Sequence, residues 1–283
     1  MSFDTTAVVF FSAAEFIISI LLADGAFPPA SFGIRKEIFL LAGQSNMAGR
    51  GGVVGQKWDK YVPPECSADP RILQLTKNLT WKEARDPLHK DIDNGKPCGV
   101  GPGMPFSNML LKKDPHVGVI GLVPSAAGGT SISQWQRGGF LYDQLLKRAN
   151  AALQDGGPIR AMLWYQGESD SNDTTSAETY RTSLKQFFCD LRLDLASPLL
   201  PIVQVAVTST AGRYVDIVRK AQLEMDLPNI FCIDANGLEV NRNDDLHLTT
   251  SAQVQLGRMF ADVILYCTMN LDEGFCAPYM TTK

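Results

Sequence analysis

The stretch EIFLLAGQSNMAG, residues 37–49, joins an apolar run to a short polar turn. No side chain from residue 38 to residue 42 is polar, a pattern typical of a strand that is buried on both faces of a parallel sheet. Gly43 ends the run, and Ser45 follows two residues later. Two interpretations of Ser45 are open. It caps the following helix, as serine often does, or it is a nucleophile held at a sharp turn between a strand and a helix.

Four further apolar runs resemble the first one, and each has the length of a buried strand. They are VGVIGLVP (117–124), AMLWYQG (161–167), LPIVQVAV (200–207) and NIFCIDA (229–235). Sequences with helical periodicity lie between the runs, and a last one follows at 250–266. Strands that alternate with helices predict an α/β fold, a three-layer αβα sandwich around a five-stranded parallel sheet.

Residues 50–103 interrupt this alternation, because they are rich in glycine, proline and polar residues and show little periodicity. A long insertion of this kind in a compact domain often has a function. We therefore expect a loop that lies over the site, with one short strand at RILQL, residues 71–75.

The composition of the whole chain is that of an ordinary globular protein, with 283 residues, of which 45% are hydrophobic and 20% charged. This length predicts one large domain, which we place at residues 35–270, followed by a short tail at 271–283. The net charge of −4 provides no basic surface for nucleic acid. The sequence leaves the oligomeric state open.

The N-terminal segment, residues 1–30, contains the apolar run AVVFFSAAEFIISILLA at 7–23. This run is shorter than the ~20 residues of a membrane span, so we expect no stable span. It has the apolar core of a signal peptide, which predicts a secreted protein. A signal peptide also has a basic start, and this chain has no Lys or Arg before Arg35. The alternative is an intracellular, cytoplasmic protein.

The cysteines number six, and their even count agrees with an oxidising compartment. Cys66 with Cys98, and Cys267 with Cys276, are the candidate disulfide pairs, whereas Cys232 lies in an apolar run and is expected to be a buried thiol. No group of residues has the spacing of metal ligands, so we expect neither a metal nor another cofactor.

Polar side chains follow four of the five predicted strands, at the point where each strand ends. Because the carboxyl ends of parallel strands meet at the same edge of a sheet, these side chains are expected to lie close together in one crevice. One such group is a helix cap by default, but four of this chemistry favour a functional site. The four groups are Ser45, then Thr130 with the glycines Gly128 and Gly129 before it, then Gln166 and Glu168, and finally Asp244 and His247.

The histidines indicate the base that would activate Ser45, since a serine hydroxyl is a weak nucleophile without one. His247 comes just before the last helix, whereas His89 lies in the long insertion and His116 precedes a strand at the opposite edge. Asp244 lies three residues before His247, so a short turn brings its carboxylate to the imidazole. Asp245 and Glu168 are alternative partners of that ring.

Donors for a developing oxyanion are available at the same edge. Gly128 and Gly129 allow a close approach of backbone N–H groups. The side-chain amide of Gln166 is a second donor, and the N–H of Ser45 or Asn46 at a helix start is a third.

Two further side chains have supporting roles in this hypothesis. A carboxylate beside an oxyanion would repel it, so we expect Glu168 to point away and to accept hydrogen bonds from the Ser45 loop. Trp135 follows the two glycines and is a candidate platform for a sugar ring, although packing in the core is the usual role of tryptophan.

Four blocks of sequence resemble the SGNH-hydrolase superfamily and, more narrowly, its carbohydrate-esterase branch, the sialate O-acetylesterase-like (SASA) domain of plant proteins. They are GQSNMAG (43–49), GGTSISQW (128–135), WYQGESD (164–170) and DDLH (244–247). The resemblance implies a flavodoxin-like sandwich with strand order 2-1-3-4-5. It also implies that Ser45 is the nucleophile, His247 the base and Asp244 the residue that orients it.

The same resemblance implies an oxyanion hole made of the Ser45 N–H, a glycine of the second block and a side chain of the third. Two blocks depart from the general pattern of the superfamily. Gly-Gln-Ser replaces Gly-Asp-Ser, and Gln-Gly-Glu replaces Gly-x-Asn-Asp. The third donor therefore remains open between Gln166, Ser169 and Glu168.

The function expected from these residues is a serine esterase that removes O-acetyl groups from an acetylated carbohydrate. One alternative is a carbohydrate-binding protein of weak catalytic activity, whose signature would be the loss of Ser45, Asp244 or His247. Another is a lipase or thioesterase of the same fold, which would need a large apolar channel.

Overall fold

The computed structural model describes residues 35–154 and 156–270. The apolar segment at 1–30 and the tail at 271–283, which includes Cys276, lie outside the described residues, so the signal peptide, secretion and a Cys267–Cys276 pair stay predictions. None of the helices in the described ranges is long and apolar enough to cross a membrane.

Strands and helices follow one another along the chain from Lys36 onward. The strands are β1 (Lys36–Gly43), β2 (Val53–Val54), β3 (Lys57–Trp58), β4 (Ile72–Leu75), β5 (Trp81–Glu83), β6 (Val119–Pro124), β7 (Ile159–Tyr165), β8 (Ile202–Ala206) and β9 (Ile230–Asp234). The α-helices are α1 (Ser45–Ala48), α2 (Gly103–Lys113), α3 (Phe140–Gln154), α4 (Thr174–Asp194), α5 (Val215–Leu223) and α6 (Thr250–Asn270). Short 3₁₀ helices lie at Pro64–Cys66, Pro115–Val117, Ile132–Trp135 and Asp170–Asn172.

The central sheet has the strand order β5-β4-β6-β1-β7-β8-β9. The five predicted strands are β1, β6, β7, β8 and β9, and their arrangement confirms the order 2-1-3-4-5. All of them pair in parallel. The lateral order places β1, and the turn that follows it, in the middle of the sheet.

The predicted count of five strands is wrong, because the insertion adds two strands at one edge. β4, the short strand expected at RILQL, pairs in parallel with β6, and β5 pairs with β4 in antiparallel fashion. The three residues of β5, WKE, have no apolar pattern that would indicate a strand. Its neighbour β4 and the tight turn between Thr76 and Thr80 therefore determine its position.

Helices cover both faces of the sheet, which confirms the three-layer sandwich. On one face α2 packs against α6. The ring of Phe39 in β1 contacts the ring of Phe106 in α2, with 4.9 Å between the ring centroids. On the other face the ring of Trp164 in β7 contacts that of Phe187 in α4, with 4.8 Å between the ring centroids. Apolar side chains point to both faces of the central strands, as their continuous apolar sequences predict.

The predicted disulfide between Cys66 and Cys98 is wrong, since both are buried free thiols. The Cys98 sulfur accepts a hydrogen bond from Arg50 Nη1 at 3.5 Å, whereas Cys66 lies beside the carboxyl group of Asp86. The two side chains thus have different surroundings. Burial raises the pKa of Cys98 to about 11 and also raises the pKa of Cys66. Cys232 is a free thiol, as predicted, but it is partly rather than fully buried.

Candidate active site

Ser45 is the first residue of α1, directly after the turn that ends β1. Gly43 makes this turn possible: its φ is +131°, and a Cβ atom there would collide with the Tyr165 carbonyl of the neighbouring strand. Gln44, rather than Ser45, occupies the N-cap position, and it makes no side-chain capping bond. The interpretation of Ser45 as a helix cap is therefore wrong, and its hydroxyl group is available for another role.

A chain of hydrogen bonds connects Ser45, His247 and Asp244. The Ser45 Oγ lies 2.9 Å from Nε2 of His247, and Nδ1 of the same ring lies 2.8 Å from Asp244 Oδ2. The other carboxylate oxygen, Oδ1, accepts the backbone N–H groups of Leu246 and His247, each at 3.0 Å. The structure brings together three residues that the sequence places 202 positions apart at the extremes.

The carboxylate of Asp244 is held in its charged form by these contacts. Partial burial by itself would raise its pKa, but the bonds from the backbone and ring of His247 outweigh this effect, so the pKa lies below its ordinary value. A charged carboxylate at Nδ1 favours the tautomer that leaves Nε2 free to accept a proton from Ser45.

The loop that carries His247 is a narrow turn between β9 and α6. Val240 pairs with Leu248, and the His247 carbonyl accepts the Asn241 N–H at 2.7 Å. At the tip of the turn Asp245 has a φ of +50°. This turn gives Asp244 the place beside the imidazole, so the alternative assignment to Asp245 is wrong.

Asn46 connects the start of α1 to that loop. Its Oδ1 accepts the Leu248 N–H at 2.9 Å, and its Nδ2 donates to the Leu246 carbonyl at 3.2 Å. The same Nδ2 donates to Glu168 Oε1 at 2.8 Å. Asn46 thereby fixes the position of the residues on both sides of His247 relative to Ser45.

Glu168 accepts a bond from the Ser45 loop, as predicted, and the alternative in which it orients His247 is wrong. Its side chain is buried at the wall of the cavity, and burial raises its pKa to about 7. The amide of Gln44, with its nitrogen facing Glu168 and the Thr130 carbonyl, donates to Glu168 Oε2 at 3.3 Å and to Thr130 O at 3.1 Å.

Gly128 and Gly129 have different surroundings. The Gly128 N–H donates to Asp93 Oδ1 at 3.0 Å, so the expectation that it faces an oxyanion is wrong. Gly129 is exposed, has a φ of +68° and lines the same cavity as Ser45. Its N–H has no acceptor among the described residues.

Gln166 and Trp135 lie beneath the site and not in it, which corrects both expectations. Each is fully buried. The Gln166 amide donates to the Thr130 carbonyl at 2.9 Å and to Asp170 Oδ2 at 2.6 Å, so its N–H groups are already satisfied. The ring of Trp135 packs edge-on against Trp164 at 5.1 Å, and its Nε1 donates to Thr130 Oγ1.

A cavity of about 500 Å³ opens beside Ser45 and His247. Residues of the insertion form part of its wall, as predicted, in particular Arg50, the β2–β3 hairpin and Lys96. Arg50, Asp93 and Lys96 were missed by the sequence analysis, because no motif or periodicity marks them within the insertion. The described residues contain no group of three side chains that could hold a metal ion.

The arrangement has the parts that acyl transfer requires. A hydroxyl group lies within hydrogen-bonding distance of an imidazole, and a carboxylate orients that imidazole. The N–H groups of the first turn of a helix have no partner within the helix, so the Ser45 N–H is a donor next to the Ser45 hydroxyl group. The exposed Gly129 N–H is a second donor on the cavity wall.

The chain matches the family model described as carbohydrate esterase, sialic acid-specific acetylesterase, over residues 35–266. A probable carbohydrate esterase of Arabidopsis thaliana is 51% identical over 237 residues, which are 81% of this chain and 90% of that protein.

Two solved structures share the fold. A protein of Arabidopsis thaliana is 49% identical with a TM-score of 0.79, covering 82% of this chain and 98% of that one. A carbohydrate acetylesterase from Xanthomonas citri shares the fold, with 19% identity, a TM-score of 0.56 and coverage of 85% and 57% of the two chains. The chain belongs to the carbohydrate esterase family of sialic acid-specific acetylesterases and is a hydrolase that acts on ester bonds.

Proposed function

We propose that this protein removes O-acetyl groups from an acetylated carbohydrate, with Ser45 as nucleophile, His247 as general base and Asp244 as the residue that orients the imidazole. The observation that carries the proposal is the continuous hydrogen-bond chain from Ser45 Oγ through His247 to Asp244, at the wall of an open cavity.

The reaction has two steps. In the first, Ser45 Oγ attacks the ester carbonyl while His247 Nε2 takes the hydroxyl proton. The N–H groups of Ser45 and Gly129 donate to the oxyanion of the tetrahedral intermediate. The C–O bond to the sugar breaks, His247 returns the proton to the departing sugar oxygen, and an acetyl group remains on Ser45.

In the second step a water molecule gives a proton to His247 and attacks the acetyl-serine. The intermediate collapses, the proton returns to Ser45 Oγ, and acetate leaves. Apart from the substrate and this water molecule, the proposed steps use only side chains and backbone groups of this chain. The negative charge of Asp244 stabilises the imidazolium that forms twice in the cycle.

A carbohydrate substrate is supported by the lining of the cavity and by the relatives. Polar groups such as Asn172, Asn241 and Asn243 line it and suit the hydroxyl groups of a sugar. The Arabidopsis relative is named a probable carbohydrate esterase. A lipase would need a longer apolar channel, and a protein that only binds sugar would not need the Ser45–His247–Asp244 arrangement.

The test is acetate release from acetylated xylan, acetylated pectin and p-nitrophenyl acetate, with Ser45→Ala beside the unchanged protein. We expect the unchanged protein to release acetate from at least one polysaccharide. The variant should lose at least a thousandfold in rate, because the covalent step is gone. Ser133→Ala, which removes an exposed hydroxyl outside the cavity, is the matched control and should retain activity. Equal release by Ser45→Ala and the control would contradict the proposal.

A further inference from the structure

The backbone of Gly128 is held on both sides by residues of the insertion. Its N–H donates to Asp93 Oδ1 at 3.0 Å, and its carbonyl oxygen accepts a hydrogen bond from Lys96 Nζ, also at 3.0 Å. Asp93 and Lys96 belong to one turn, since the Lys96 N–H bonds to the Asp93 carbonyl at 3.3 Å. A single turn of the insertion thus bonds to both the N–H and the carbonyl of Gly128 at the cavity wall.

Asp93 is itself held by a buried partner. Its carboxylate forms an ion pair with the guanidinium of Arg50, and both side chains are 5% exposed or less. Arg50 also donates to the carbonyl of Gly49, the C-cap residue of α1. A buried ion pair contributes little net stability, because desolvation of the two charges offsets their attraction. Its effect here is geometric: it links the helix that carries Ser45 to the Gly128 turn.

The space around Gly128 is filled by the same side chains. A Cβ atom at this position would lie 2.5 Å from Arg50 Nη2 and 3.0 Å from Asp93 Oδ2. The backbone therefore packs directly against the ion pair, and no intervening side chain loosens its position.

The two hydrogen bonds to the Gly128 backbone determine the direction in which the Gly129 N–H points. The Gly128 carbonyl and the Gly129 N–H are two ends of one planar peptide group, and in a trans peptide they point in opposite directions. With the carbonyl bound to Lys96, the Gly129 N–H points away from the ammonium group. A cation on the carbonyl oxygen also polarises the peptide and strengthens its N–H as a donor.

We propose that Lys96, Asp93 and Arg50 are positioning residues that orient and polarise the Gly128–Gly129 peptide, so that the Gly129 N–H donates to the oxyanion. This inference rests on the proposed function. Lys96 forms no ion pair with a carboxylate in the part of the chain that the structure describes, so its charge acts on the peptide without a competing partner.

The test compares Lys96→Met with Lys96→Arg and with Lys90→Met. Lys90 is an exposed lysine of the same insertion that does not line the cavity. We expect Lys96→Met to lower kcat by about tenfold to a hundredfold, less than the loss of a whole oxyanion donor. The KM for a neutral acetylated xylo-oligosaccharide should stay unchanged. Lys96→Arg, which keeps a charged donor, should restore most of kcat, and Lys90→Met should match the unchanged protein.

A second measurement separates this role from a merely structural one. Methylboronic acid forms a tetrahedral adduct with an active-site serine, so its inhibition constant reports binding of the oxyanion. We expect Lys96→Met to weaken inhibition by the same factor by which it lowers kcat/KM, at an unchanged melting temperature. Asp93→Asn serves as a second variant and should weaken inhibition and lower kcat/KM by one common factor. It should also lower the melting temperature, because it leaves the buried Arg50 guanidinium without its charged partner.

Three results would overturn the inference. The first is a kcat of Lys96→Met equal to that of Lys90→Met. The second is a change confined to the KM of acidic sugars, which would make Lys96 a ligand of substrate carboxylates. The third is a Lys96→Met variant that has a lowered kcat but an unchanged inhibition constant for methylboronic acid. Failure of the proposed function looks different, since the unchanged protein would then release no acetate from any substrate.

Discussion

Glu168 shows how a single buried carboxyl group links the site to the stability of the protein. It accepts a hydrogen bond from Asn46, yet burial raises its pKa from 4.5 to about 7. A group that binds its proton more tightly in the folded state destabilises that state as pH rises, because ionisation becomes easier after unfolding. This decrease in the free energy of unfolding begins near pH 4.5 and is complete above about pH 7.

We therefore predict that Glu168→Gln raises the free energy of unfolding at pH 8 by on the order of 3 kcal/mol and leaves it nearly unchanged at pH 4.5. The new amide keeps an oxygen that accepts the hydrogen bond from Asn46. Urea unfolding at both pH values measures the difference. A gain that is the same at pH 4.5 and pH 8 would show that ionisation of Glu168 is not its cause.

At the level of secondary-structure elements, Asn46 is the connection between α1 and the loop before α6. Its side chain bonds to Leu246 and Leu248, on either side of His247, and its backbone carbonyl accepts from Gln253 of α6 at 3.1 Å. The distance between Ser45 and His247 thus depends on a side chain that takes no proton itself.

Replacing Asn46 by alanine should lower kcat by at least tenfold and the free energy of unfolding by about 1–3 kcal/mol, because the buried Leu248 N–H loses its acceptor. Steady-state kinetics and urea unfolding measure the two effects. Asn108→Ala is the matched control, since Asn108 also donates to two carbonyl groups but lies on α2, away from the cavity. It should lose stability and keep kcat; a parallel loss of kcat in both variants would contradict the connecting role of Asn46.

The elements also show what the sequence could predict. Continuous apolar runs identified the five central strands, and the ends of those strands located Ser45, Asp244 and His247. Neighbours of these residues were assigned less well: Gln166 and Trp135 stand beside glycine-rich turns in the sequence, but their side chains point into the core. Proximity along the chain does not reveal the direction of a side chain after a strand ends.

At the scale of the whole molecule, the insertion at residues 50–103 is the part that the sequence described least. It lacks periodicity because its strands are short and its turns are held by side chains that lie far apart within it, such as the pair of Arg50 and Asp93. Contacts of this kind join distant parts of the chain and leave no local pattern. The same insertion supplies part of the cavity wall and, in our proposal, the side chains that hold the Gly128 backbone in place.

The fold as a whole brings Ser45, the proposed nucleophile, from the end of the middle strand and His247, the proposed base, from the loop after the last strand to one cavity. The most direct test of this account is the site of covalent labelling by diethyl p-nitrophenyl phosphate. The serine oxygen forms a bond to phosphorus and p-nitrophenolate leaves. Trypsin cleaves after Lys36 and Arg50, and the resulting peptide, EIFLLAGQSNMAGR, contains Ser45 as its one hydroxyl side chain.

We predict that mass spectrometry finds one diethylphosphoryl group on this peptide, in proportion to the loss of acetate release, and that His247→Ala is labelled at least a hundredfold more slowly. Complete inactivation with the label on another peptide, or no labelling of residues 37–50 in an active preparation, would contradict the assignment of Ser45 as the nucleophile.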